Sequence, residues 1–105
     1  MPLLRGDFDF LPALCSQEHT DPIVELKFYS STTGQTWYVI EGCKETDDVR
    51  FFGYELSPHP TRTYFRLSDL EKSRAHLDTN FNRVHWSAIR QELSSSNHLR
   101  RRAYA

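Results

Sequence analysis

A chain of 105 residues, 38% hydrophobic and 26% charged, fits one domain that can bury about two thirds of its unfolded surface without a disulfide or metal staple. Its net charge of -1 conceals an asymmetry: residues 1–81 carry 8 Lys/Arg against 13 Asp/Glu, net -5, and residues 82–105 carry 5 Arg against one Glu, net +4. No apolar run approaches the roughly 20 residues of a membrane span, since Phe8–Leu14 is interrupted by Asp9 and Pro12, so no membrane role is expected.

Cys15 and Cys43 lie 28 positions apart without a C-x-x-C pair, and no charged segment followed by an apolar run opens the chain. Both features point to a reducing, cytoplasmic setting. Along the chain, Phe8, Phe10, Leu11, Leu14 and Cys15 fall at near-helical spacing, and Pro12 suits the first turn of a short helix that begins near Phe10 or Leu11. The run His19-Thr20-Asp21-Pro22 stops that helix, because a residue before proline is pushed toward extended geometry.

Ile23–Ser30 alternates, with Val24, Leu26 and Phe28 on one face and Glu25, Lys27 and Tyr29 on the other, as a half-buried strand does. A turn over Ser31–Gly34 leads to a second strand, Gln35–Gly42. The acidic turn 42–48 leads to a third, Val49–Leu56. These two runs hold the densest aromatic and β-branched content in the chain and read as a hairpin with a longer loop. Pro58 and Pro60 close the third strand, and Arg62–Leu67 makes a fourth. Ser68-Asp69-Leu70-Glu71 has the form of a capping box, with Ser68 bonding the N3 amide and Glu71 reaching back, and predicts a helix from Asp69 to about His76. Leu77–Asn82 is turn-like, Arg83–Trp86 a short strand or arm, and Ser87–Leu93 two helical turns with Trp86, Ile89 and Leu93 on one side. Short connections require antiparallel pairing. The expected fold is α+β: a mainly antiparallel sheet of about four strands with two to three short helices packed mostly on one face. Residues 1–94 are expected to form the single domain, and residues 95–105 a basic, mobile tail. The expected core is Leu14, Val24, Leu26, Phe28, Trp37, Val39, Phe51, Leu67 and Leu70.

Chemistry is sparse. Cys15 and His19 stand at the i, i+4 spacing of two metal ligands on one helical face, but His59, His76, His85 and His98 add no second pair, so no metal is expected. The serines sit in turns and caps, and Gly6, Gly34, Gly42 and Gly53 are too scattered for a phosphate loop. Glu41 shares the predicted strand face of Trp37 and Val39 and points to a structural ion pair with Arg50 or Arg66. The chain is therefore expected to be no enzyme and to hold no cofactor. Binding remains. Tyr29, Tyr38, Tyr54 and Tyr64, with the acidic turn residues Glu45, Asp47 and Asp48, make the candidate surface for a protein partner, and Arg100, Arg101, Arg102 and Tyr104 make the alternative, a nucleic-acid contact in the tail. The sequence leaves monomer and homodimer both open.

Asp21-Pro22-Ile23-Val24, Leu26-Lys27-Phe28-Tyr29, Thr36-Trp37-Tyr38-Val39-Ile40-Glu41, Phe51-Phe52-Gly53-Tyr54 and Tyr64–Glu71 follow in an order that resembles the domain of unknown function 2958 family of bacterial plasmids, phages and integrated elements. The resemblance covers about Leu11–Trp86. It is most specific in the Thr-Trp-Tyr-x-x-Glu and Phe-Phe-Gly-Tyr strands. The chain departs from the family at Ser57–Thr63, which is short and proline-rich here, and at Asn82–Trp86. The resemblance implies an accessory protein of a mobile element, and more specifically an inhibitor that binds a host protein or ribonucleoprotein complex of CRISPR or restriction type.

Overall fold

The computed structural model describes residues 8, 11–14, 21–56 and 59–94. Strands β1 (Ile23–Val24), β2 (Leu26–Tyr29), β3 (Thr36–Lys44), β4 (Val49–Leu56) and β5 (Pro60–Arg66) precede α1 (Leu67–Lys72). Strands β6 (His76–Leu77) and β7 (Val84–His85) follow, and a second helix, α2, occupies residues 86–94. The fold is α+β with antiparallel pairing throughout. The main sheet has five strands, ordered β5-β4-β3-β2-β6, and β1 pairs with β7 in a separate ribbon. The fifth strand is the two-residue β6, which sequence reading assigned to a turn and to the end of the preceding helix.

Each face of the sheet carries one helix. Helix α1 leaves β5 at one edge and delivers the chain to β6 at the other, so it must cross the sheet. There Leu67 and Leu70 pack with Phe28, Trp37, Val39 and Phe51. On the opposite face Trp86 and Ile89 of α2 pack with Val24, Tyr38 and Ile40. The expectation of helices mostly on one face is thus corrected. Val24 also changes sides relative to Leu26 and Phe28, because the chain switches from the ribbon to the main sheet at Glu25. Of the expected N-terminal helix, residues 11–14 are irregular and 15–20 lie outside the described residues. Leu11 nonetheless joins the first core, beside Phe8, which meets Phe51 edge-on with centroids 5.3 Å apart. Leu14 and Leu26 are only partly buried.

A bulge in β3 sets which side chains reach which core. Val39 pairs with Gly53, but the next pair is Glu41 with Phe52, so Ile40 is the extra residue. A Cβ at Gly53 would collide with the Tyr38 carbonyl, so only glycine fits there. Past the bulge Glu41, 2% exposed, lies off the Trp37/Val39 face on which sequence reading had placed it.

Helix α1 starts two residues earlier than expected. Arg66 is its N-cap, and the Asp69 carboxylate accepts from the Arg66 backbone amide at 3.0 Å. The helix ends in a Schellman arrangement, Ala75 N–H to Leu70 C=O at 2.9 Å and Arg74 N–H to Glu71 C=O at 3.1 Å, with Arg74 at φ 56° where glycine is usual.

Two outcomes test this packing. Trp37→Ala is expected to cost roughly 3–5 kcal/mol of a total of about 5–15, a large drop in melting temperature, since Trp37 is buried between the sheet and α1. Arg74→Gly is expected to raise the denaturant midpoint slightly. It relieves about 1 kcal/mol of left-handed strain, partly offset by the extra freedom of glycine in the unfolded chain.

Candidate binding surface

The acidic turn 45–48 is structural before it is anything else. Asp48 is half-buried, and its carboxylate accepts from the amide of Val49 at 2.8 Å, the amide of Ser68 at 3.1 Å and the hydroxyl of Ser68. Helix α1 has no Ser, Thr, Asp or Asn at its own N-cap, and this carboxylate, twenty residues upstream, satisfies one of its orphan amides. Glu45 bridges Arg66 Nε at 2.8 Å and Arg50 Nη2 at 3.3 Å. The Arg66 hydrogen bond holds the Glu45 carboxyl below its usual range and raises Arg66 in return. Arg50 and Arg66, the expected partners of Glu41, are therefore engaged by Glu45. Asp47 is exposed. The turn does not present the free negative patch that a steering role would need.

The four tyrosines part company as well. Tyr38 is 6% exposed, and burial pushes its hydroxyl up, with Glu92 and Asp78 adding to the effect. Tyr54 stacks face to face on Trp86, centroids 3.7 Å apart and planes within 5°. Only Tyr29, 42% exposed, and Tyr64, 53% exposed, are open. They stand on β2 and β5, separated by β3 and β4, and do not share a patch.

What the structure brings together instead is the uncovered half of the β4–β5 face. Alternation puts Arg50, Phe52 and Tyr54 on one side of β4, and the register sets Arg66, Tyr64 and Arg62 opposite them. Helix α2 reaches only Tyr54. Beyond it Phe52 and Tyr64 pack at 4.8 Å between centroids, and the Arg62 guanidinium lies 5.3 Å over the Phe52 ring. At the Arg66 end a pocket of about 210 Å3, lined by Arg50, Tyr64, Phe65, Arg66 and Asp69, is smaller than the roughly 300 Å3 of ordinary small-molecule sites. The surface suits a macromolecule better than a metabolite. Sequence reading found Tyr64 and missed Phe52, Arg62 and the arginines at the rim. The signal was present in the i, i+2 spacing of Arg50-Phe52 and Arg62-Tyr64-Arg66.

Cys15, His19, Arg100, Arg101, Arg102 and Tyr104 lie outside the described residues. Among the described residues no group of three His, Cys, Asp or Glu is placed to hold a metal, and no helix is long and apolar enough to cross a membrane. No family model, curated protein or solved structure matches this chain. The resemblance to the domain of unknown function 2958 family rests on the strand motifs quoted above.

A second remote carboxylate was not anticipated. Asp21 accepts from the amide of Ser87 at 2.9 Å and from its hydroxyl at 2.8 Å, at the start of α2. These bonds, the amide first, hold the Asp21 carboxyl below its ordinary value, with help from His85 and Arg90. A carboxyl lowered in the folded state stabilises above the unfolded value and loses that contribution as pH falls through the folded one. Asp21→Ala is therefore expected to lower the denaturant midpoint at neutral pH. The gap to the parent protein should close as pH falls below about 4. A gap independent of pH would show that the carboxylate charge contributes nothing.

Proposed function

We propose that this chain acts by binding and not by catalysis, and that its partner is a protein seated on the open half of the β4–β5 face. The observation that carries this reading is the cluster of Phe52, Tyr64 and Arg62, an aromatic pair and an arginine left outside both cores. Aromatic residues and arginine are the side chains enriched at interface centres. The specific form of the proposal is the one the resemblance implies, a cytoplasmic accessory protein of a mobile element that binds a host defence complex. The resemblance alone supports that form.

A second reading is favoured by the same interleaving of arginine with aromatic rings. Single-stranded nucleic acid stacks its bases on such platforms, and Arg100, Arg101 and Arg102 would add to the charge.

Affinity capture from a bacterial lysate separates the two. The full chain is compared with Phe52→Ala, Tyr64→Ala and a version lacking Leu99–Ala105, each first checked for an unchanged melting temperature. A discrete protein partner is expected, weakened about tenfold or more by either aromatic truncation, little affected by loss of the tail and only modestly sensitive to salt. Capture of nucleic acid that is abolished by moderate salt and by the tail deletion would overturn this reading in favour of the second. Asp48 and Tyr54 are unsuitable probes, since Asp48 caps α1 and Tyr54 is stacked on Trp86.

A further inference from the structure

Among the described residues, strand β5 is an outer strand of the main sheet and pairs only with β4. Its parity can be assigned. In an antiparallel strand the N–H and C=O of one residue point to the same side, and successive residues alternate. The Arg66 amide donates to Asp69, away from β4. Arg62 and Tyr64, four and two residues before it, therefore turn their backbone groups outward, and Thr61, Thr63 and Phe65 make the bonds to β4. Pro60 fits this parity, because its missing N–H then falls on the open edge and costs the ladder nothing. The side chains of Arg62 and Tyr64 sit on the same uncovered face as Phe52.

We propose that this edge is the docking site itself: an extended segment of the partner protein adds to β5 as a further strand, bonding the outward amides and carbonyls of Arg62 and Tyr64. The proposal rests on the protein-binding reading above and names how the partner is held. Charge selects the occupant. Glu45 already engages Arg50 and Arg66, and the Asp69 carboxylate accepts from the Arg66 amide, whereas Arg62 has only the Phe52 ring beneath it among the described residues. A segment with an acidic side chain beside Arg62 and an apolar one beside Tyr64, two residues apart, completes both. A second copy of this chain would bring further arginines to the edge and no carboxylate, since its β5 carries Arg62 and Arg66 and no acid. Opposite charges paired across strands stabilise, and like charges do the reverse.

The test titrates the full chain with a fluorescein-labelled hexapeptide alternating glutamate and valine, read by anisotropy and by amide NMR shifts. The matching lysine–valine peptide and a short oligo-dT strand serve as controls. The glutamate peptide is expected to bind best, with the largest shifts at the amides of Arg62 and Tyr64. Tyr64→Ala keeps the outward amide and Tyr64→Pro removes it, so the proline variant is expected to bind about tenfold more weakly than the alanine variant. Arg62→Glu is expected to transfer the preference to the lysine peptide, and it keeps the proposal testable if the proline variant misfolds.

Equal losses for Tyr64→Ala and Tyr64→Pro would overturn the edge proposal and leave face binding standing. Peptide binding that ignores charge would overturn the choice of an acidic segment. Binding of oligo-dT alone would overturn both this proposal and the protein-partner reading. Dimerisation in sedimentation, abolished by Tyr64→Pro without any peptide, would assign the edge to a second copy and overturn the proposal.

Discussion

One extra residue in β3 governs how this chain divides its apolar side chains. Because Ile40 has no partner on β4, Tyr38, Ile40 and Glu41 turn to one side of the sheet, and Trp37, Val39 and Gly42 turn to the other. Were the strand regular, Glu41 would enter the core of Trp37 and Phe51, where an uncompensated carboxylate is very costly. The bulge in turn needs Gly53, whose missing side chain admits the Tyr38 carbonyl. Gly42 lets Leu11 approach closely from above, and its amide bonds the Pro12 carbonyl at 3.0 Å. Two glycines thus hold the geometry of a strand that is buried on both sides.

That double burial also delimits the proposed binding surface. A sheet with a helix on each face has little left to offer a partner except what the helices fail to reach. Helix α2 stops at Tyr54, and α1 is only six residues long. The uncovered remainder is the corner where β4 meets β5, and the Arg62 guanidinium there lies over the Phe52 ring, which would otherwise be bare apolar surface.

Much of the fold was legible in the sequence, because strand periodicity and turn composition are local. The alternation of Leu26–Tyr29, the hairpin of β3 with β4 and the existence of α1 all follow from neighbouring residues. What was not legible depends on distant partners. Tyr38 and Tyr54 read as exposed because alternation assigns one face of a strand to solvent, yet Trp37–Glu41 is buried without interruption. A run of four apolar residues within one strand was the available sign of a sheet covered on both faces. The capping box at Ser68 was misread for a related reason. Its hydroxyl is spent on Asp48, a bond that no local spacing announces. Among the site residues Tyr64 was visible as an aromatic on a strand, but the grouping of Phe52 with Arg62 depends on the β4–β5 register.

The two helix caps carry a consequence for how the chain acquires its shape. Ser68 receives its carboxylate from twenty residues away and Ser87 from sixty-six. Neither helix has a Ser, Thr, Asp or Asn at its N-cap, the local closure of α1 is the Asp69 carboxylate on the Arg66 amide, and both helices are short enough to be marginal alone in water. Each of these long-range bonds therefore requires the strands to hold the aspartate in position, and the one on α2 closes a loop of 66 residues. The two Asp–Ser pairs make each helix start a long-range feature of the fold, one joining the β3–β4 turn to α1 and the other joining the segment before β1 to α2 near the opposite end of the described chain.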